Sequence, residues 1–143
     1  MVVKKLKIVT DVACKSLRPG FKGKAVGAAQ FYDADWVELQ TEEFILGEMV
    51  PYEAECATVL KALDMASGLA RSNVEVWTDS EPLVRHMNGE YRLRSELSRQ
   101  YFDKIKIVEA RFREVKYYHH DRSTTRGKIA HAAAAIAYSK IHV

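Results

Sequence analysis

This chain is short of the features that mark most specialised protein classes. Its 143 residues include two cysteines and three prolines. Cys14 and Cys56 show no CxxC spacing and no companion histidine pattern, which excludes a zinc knot or a disulfide framework and reads as free thiols in a reducing compartment. The longest wholly apolar stretch, AAAAIAY, is far too short to span a bilayer. The start, MVVKKLKIVTDV, has no long apolar core followed by small cleavage residues, so no signal peptide is expected and the reading is cytoplasmic, with no membrane partner. Repeats, low-complexity tracts and Pro/Gly-rich linkers are absent. Charge of one sign is lacking too: 22 basic against 19 acidic residues give a net charge of +3, which permits a polyanionic partner without demanding one.

What is present describes one folded unit. Apolar residues make up 48% of the chain and charged residues 29%, a globular balance. The length suits a single domain over residues 1–143. Leu6, Ile8 and Thr10 alternate with Lys5, Lys7, Val9 and Asp11 at the period of a strand. CKSLRPGFKGK reads as one exposed loop. AVGAAQFYD and DWVELQTEEFILG then read as two antiparallel strands about a turn at Asp33 to Asp35. From Pro51 to about Arg71 the spacing of Cys56, Val59, Leu60, Leu63, Ala66 and Leu69 predicts a helix. A strand over Asn73 to Asp79 and a short helix from Ser80 to about Met87, stopped by Asn88-Gly89, come next. A basic helix from about Glu96 to Arg111, a strand in EVKYYHH and a helix over Thr125 to Lys140 complete the chain. The order β-β-β-α-β-α-α-β-α implies an α/β fold: a mixed five-stranded sheet with helices on its faces.

Three carboxylates occupy telling places. Asp11 ends the first strand-like run, Glu55 lies just inside the helix that starts at Pro51, and Asp79 closes VEVWTD. Two strand ends and a helix start can converge, and convergent carboxylates bind divalent metal. Each has a plain alternative: a turn acid at Asp11, a helix-dipole acid at Glu55, a cap at Asp79. The three together, in this order of elements, favour the shared site.

IVTD, the EAE at the head of the first long helix, VEVWTDSEPLVRHMNGEY and the closing GKIAHAAAAIA resemble the type 1 ribonuclease H family, most specifically its compact archaeal and bacterial subgroup. The resemblance covers nearly the whole chain. It implies a ribonuclease H-like fold and a metal-dependent endonuclease that hydrolyses the RNA strand of RNA–DNA hybrids. It also implies two divalent ions, Mg2+ or Mn2+, held by four acidic side chains. Asp11, Glu55 and Asp79 fall on the first three, with Glu55 favoured over Glu53. At the fourth stands His131 in place of aspartate, a nitrogen ligand that tilts metal use toward manganese or, alternatively, a helix histidine with no metal. On an idealised last helix Ile129, Ala133 and Ile136 form the main aliphatic face, and His131 lies opposite. His120, or its neighbour His119, falls near the family's mobile catalytic histidine. The alternative is an ordinary strand-end pair with one ring inward and one outward.

Substrate-reading positions depart from the family pattern. Pro51 and Tyr52 replace two asparagines ahead of the catalytic glutamate, and VACKSLRPG replaces a glycine-rich loop. Tyr52 can stack or hydrogen-bond in their stead, or simply pack over the helix start. Arg85, Arg92, Arg94, Arg126 and Lys128 suit phosphate contacts, or form a solvated surface. The expected partner is RNA–DNA hybrid, with no obligate protein partner. Two other readings stay open: a weakened, nucleic-acid-binding module of the same fold, and a DNA-acting nuclease of the same superfamily.

Overall fold

The computed structural model describes residues 3–15, 21–121 and 124–141. The elements in chain order are β1 (Val3–Lys15), β2 (Gly23–Tyr32), β3 (Glu38–Met49), α1 (Pro51–Ala66), β4 (Ala70–Thr78), α2 (Glu81–Met87), α3 (Glu96–Glu109), β5 (Glu114–His119) and α4 (Thr125–Lys140). They form one five-stranded sheet in the order β3-β2-β1-β4-β5. The first three strands make an antiparallel meander, and β4 and β5 add in parallel beside β1. The order and type of elements are those the sequence implies.

Alternation along β1 assigns its two faces. Leu6 and Ile8 face α1, α2 and α3, where Phe31, Val59, Leu63, Val76, Leu83 and Ile105 complete the main core. Val9 and Ala13 face the other way, toward α4. This α4 layer is thin, because α4 buries Gly127, Ala130, Ala134, Ala137 and Tyr138 against β1 and β2. Ile129 and Ile136, expected on the packing face, are instead 45% and 55% exposed. Small side chains let the helix approach the sheet closely, and isoleucine would hold it off.

Several boundaries differ from the sequence reading, among them the start of β4, which is Ala70 rather than Asn73. β1 does not end at Asp11 but runs on to Lys15, paired there with β2 alone. Cys14, Lys15, Gly23 and Lys24, read as loop, belong to strands, and positions 16–20 lie outside the described residues. α1 stops at Ala66 rather than near Arg71: Ser67 and Gly68 turn the chain, and Leu69 reaches the same core from that turn, which prolongs the apolar period beyond the helix. Both cysteines are free, and burial pushes the Cys56 thiol up to about 12. No described helix is long and apolar enough to cross a membrane.

α1 rides low over β2 at Gly27, which pairs with Val12. A methyl group at Gly27 would occupy the space of the Thr58 side chain, itself fully buried and bonded to the Ala54 carbonyl at 2.8 Å. On the α4 face, Glu75 of β4 accepts from Lys5 at 2.7 Å and from the Trp77 indole at 3.1 Å. Burial pushes the Glu75 carboxyl up, but these two donors outweigh it and hold the group below the usual carboxylate range.

Two stability measurements follow. Gly27→Ala should cost about 1–3 kcal/mol in urea unfolding, and adding Thr58→Ala should recover part of it; an unchanged midpoint would mean α1 is not seated this closely. Glu75→Gln should cost about 1 kcal/mol at neutral pH. Because the folded-state pKa is depressed, that difference is complete above the ordinary glutamate value of about 4.3 and closes as pH falls through the lower folded value. A gap that persists at the acid end would contradict the pairing.

Candidate functional site

The parallel pairing of β1 with β4 ends at Thr10 opposite Thr78. Asp11 is the next residue of β1 and Asp79 the next after β4, so the two acids leave adjacent strands side by side. Both follow the alternation that turns Val9 and Trp77 toward the α4 face. This is also the topological switch of the sheet, where the chain passes from β1 to β2 on one side and β4 lies on the other, the usual place for a crevice in such sheets. Asp11 is buried at 2% exposure and Asp79 is half-buried. From α4, His131 places Nδ1 3.1 Å from Asp11 Oδ2, with its own side chain 54% exposed.

Glu55 arrives from the opposite layer. Val50 caps α1 and Pro51 opens it, which sets Glu55 half-buried in the second turn. Its charge is felt by Cys14, three residues beyond Asp11 on β1, so it stands toward the same end of that strand. Glu53 has another use: it accepts a hydrogen bond from Tyr101 of α3 at 3.0 Å. Among the described residues, no three His, Cys, Asp or Glu side chains are gathered closely enough to hold a metal ion. The donor types, carboxylate oxygens and one imidazole nitrogen, suit a divalent cation. The contact in place is the Asp11–His131 pair.

His119 and His120 divide as adjacent strand residues do. His119 is exposed beside α2, and His120 is 8% exposed on the α4 face. The His120 backbone N–H donates to the Thr78 carbonyl at 3.0 Å, which seats the residue next to Asp79.

The proposed nucleic-acid contacts fall on separate surfaces. Tyr52, Arg92 and Arg94 line one groove together with His86, Tyr91 and Ser95. Arg85 is held by Glu81 at 3.0 Å and Glu90 at 2.7 Å and faces a neighbouring depression. Arg126 lies on α4 with its guanidinium 4.0 Å from the Trp36 ring, and Lys128 is exposed on the same helix. Ser95 has no part in the sequence reading, and Tyr91 enters it only as a tyrosine beside the arginines. The signal available was their interleaving with Arg92 and Arg94 after a Gly-containing turn.

Tyr52 is tied to α2. Its hydroxyl meets His86 Nδ1 at 2.7 Å and the rings pack edge to face. Burial, then the neighbouring Cys56, raises the Tyr52 pKa. Burial lowers the His86 pKa against an opposing hydrogen bond to the Arg92 backbone. The neutral ring thereby ties α1 to the groove's arginine loop.

A sheet in the order 3-2-1-4-5 with helices on both faces has the ribonuclease H-like fold. The chain belongs to the reverse transcriptase-like family, whose profile matches residues 25–137, a span that includes Glu55, Asp79, His120 and His131. Among solved structures it is similar to RNase H1 of the halophilic archaeon Halobacterium salinarum, with 18% identity, a TM-score of 0.85 and coverage of 95% of this chain and 98% of that one. LC11-RNase H1, isolated from compost by a metagenomic approach and solved in complex with RNA/DNA hybrid, gives 23% identity and a TM-score of 0.84 over 96% and 99% of the two chains. The N-terminal RNase H domain of a Mycobacterium tuberculosis protein gives 22%, 0.78, 90% and 94%. No curated protein matches significantly in sequence. At these identities the likeness is one of fold.

The state of His86 can be read directly. In an NMR titration its ring should take up a proton below the ordinary histidine value of about 6.5. A midpoint at or above that value would mean the ring is solvated and Tyr52 unrestrained.

Proposed function

We propose that the chain is a metal-dependent ribonuclease H-type endonuclease that hydrolyses the RNA strand of RNA–DNA hybrids. The observation that carries this reading is the placing of Asp11 and Asp79 side by side where β1 and β4 separate, with Glu55 and His131 approaching from the two helical layers. The likeness in fold to an RNase H1 solved with RNA/DNA hybrid supports the choice of substrate.

In this reading Asp11 and Asp79 hold divalent cation, Glu55 adds a carboxylate from α1, and His131 adds a nitrogen. Bound divalent cations would supply Lewis acidity toward the scissile phosphodiester and a water acidic enough to attack it. The chain's own groups do the remainder. His131 Nδ1 lies 3.1 Å from Asp11 Oδ2, so a cation held at Asp11 would share that carboxylate with the imidazole or displace it. His120, seated next to Asp79, can carry a proton to or from the reacting groups. Tyr52, clamped by His86, offers a ring in place of amide side chains, and Arg92 and Arg94 present charge to phosphates along the same groove. Magnesium prefers an all-oxygen shell and manganese tolerates nitrogen, so His131 favours manganese.

A second reading, a nucleic-acid-binding module with a weakened metal site, is favoured by one observation: no described triad is close enough to hold an ion. Cleavage assays on matched hybrid, double-stranded RNA and double-stranded DNA, each with Mg2+ or Mn2+, separate the two. The nuclease reading expects hybrid cleavage, faster with Mn2+. Asp79→Asn should reduce it about 100-fold or more, because the metals supply several kcal/mol of transition-state stabilisation. His131→Asp should raise the rate with Mg2+. No cleavage of any substrate with either metal leaves the binding module. In equilibrium binding to hybrid, Arg92→Ala and Arg94→Ala should each flatten the log K against log salt slope by about 1; unchanged slopes would move the duplex off this groove.

A further inference from the structure

On the α4 face, directly below the acid pair, lies a cavity of about 210 Å3. Its walls are Val9, Trp36, Trp77 and His120, and its rim is the first turn of α4 with its cap, Thr124 to Arg126. Val9 precedes Asp11 by two residues and Trp77 precedes Asp79 by two, so one strand period, about 7 Å, separates the cavity from the acids.

Four features give it a chemical character. Both of the chain's tryptophans line it, packed edge to face with centroids 5.8 Å apart. Trp36 is held there in a left-handed backbone conformation, φ 63°, which a bulky residue adopts only when its surroundings compel it. The compulsion is visible: Asp33 Oδ1 accepts from the backbone N–H groups of Asp35 and Val37, both at 2.9 Å, and the indole is pinned between Lys7 at 4.4 Å and Arg126 at 4.0 Å. His120, more than nine-tenths buried, turns a ring nitrogen, Nε2, that makes no hydrogen bond and is shut off from solvent within the structure. At the rim, α4 is a 16-residue helix whose Thr124 side chain caps the Gly127 amide at 3.0 Å. The first-turn amides of a helix have no intrahelical acceptor and, with the helix dipole, favour an anion.

Trp36 carries Lys7 and Arg126 over its ring and Trp77 stacks on Tyr118 with centroids 4.6 Å apart, so the cavity offers indole edges to a planar heterocycle. The buried imidazole nitrogen suits a hydrogen bond to it, and the helix start with Arg126 suits a phosphate. No carboxylate side chain is among the described residues that line it. The volume lies below the roughly 300–1,000 Å3 of drug-sized ligand pockets, which leaves room for one base and its sugar and none for a base pair. We propose that the cavity is a subsite for a single unpaired nucleotide, its base against the indole edges and its phosphate at the first turn of α4. Assigning that nucleotide to a strand held at the acid pair rests on the nuclease reading above. The cavity's own ligand does not, and its test uses no cleavage.

Because Trp36 and Trp77 are the only tryptophans, fluorescence excited beyond the tyrosine absorption comes from two residues that both line this cavity. Metal-free protein in chelator is titrated with adenosine 5′-monophosphate, adenosine, ribose 5-phosphate and inorganic phosphate. The expected result is a saturable change with the nucleotide, and affinities at least about tenfold weaker for the nucleoside and the sugar phosphate, each of which loses one class of contact. Arg126→Gln and His120→Ala should each weaken nucleotide binding by a similar factor. Arg126 is half-buried, so its variant keeps the test valid should the buried histidine prove necessary for folding. No saturable change with the nucleotide overturns the proposal. So does an equal response to inorganic phosphate, which would reduce the site to an anion contact, or nucleotide binding that both variants retain unchanged. Hybrid cleavage that persists alongside such a failure would leave the nuclease reading standing.

Discussion

The parallel pairing of β1 with β4 is the constraint on which the rest depends. It runs in register from Lys5 opposite Asn73 to Thr10 opposite Thr78 and then stops, while β1 continues against β2 as far as Lys15. That unequal length creates the place where two carboxylates leave neighbouring strands. It also fixes which face each residue takes, because a slip of one residue would invert the pattern. Leu6, Ile8, Val74 and Val76 would then lose the main core, and Asp11 would turn away from α4. The Lys5–Glu75 pair marks the same register from the polar side.

Closeness of α4 to the sheet is the second determinant, and it follows from composition. Alanines at 130, 134 and 137 and Gly127 allow the approach that brings His131 to Asp11. In exchange the helix buries little side-chain volume, so its two isoleucines remain in solvent. A histidine contact tolerates a buried aspartate without a cation nearby. An aspartate at the same position would add like charge beside Asp11 and depend on metal to offset it. On the nuclease reading, a histidine here couples two properties: a site at ease when empty, and one with less charge with which to draw a cation in.

Much of this was legible in the chain. Period-two alternation in KKLKIVT and VEVW, the Pro51 helix start and the Asn88-Gly89 stop are local signals, and local physics was enough for them. Asp11 and Asp79 stood out because strand ends are where such sheets place their chemistry. What escaped was set by neighbours remote in sequence. Leu69 sustains the α1 period although it belongs to a turn, and Ile129 and Ile136 look like a packing stripe until the distance to the sheet selects alanine. The ion pairs of Arg85 with Glu81 and Glu90 are another feature that only the folded arrangement shows. The cavity below the acids joins the β2–β3 turn, two sheet strands and a helix start, and only the fold brings Trp36, Trp77 and His120 together.

The account turns on whether Asp11 and Asp79, with Glu55 and His131, take up a common divalent cation. Anomalous diffraction from a crystal soaked in Mn2+ tests this most directly. A peak within ligating distance of both the Asp11 and Asp79 carboxylates, with the His131 ring withdrawn from its contact with Asp11 Oδ2 toward the ion, is the predicted result. An intact Asp11–His131 contact with no manganese at either carboxylate would contradict it and leave the fold with a binding role alone.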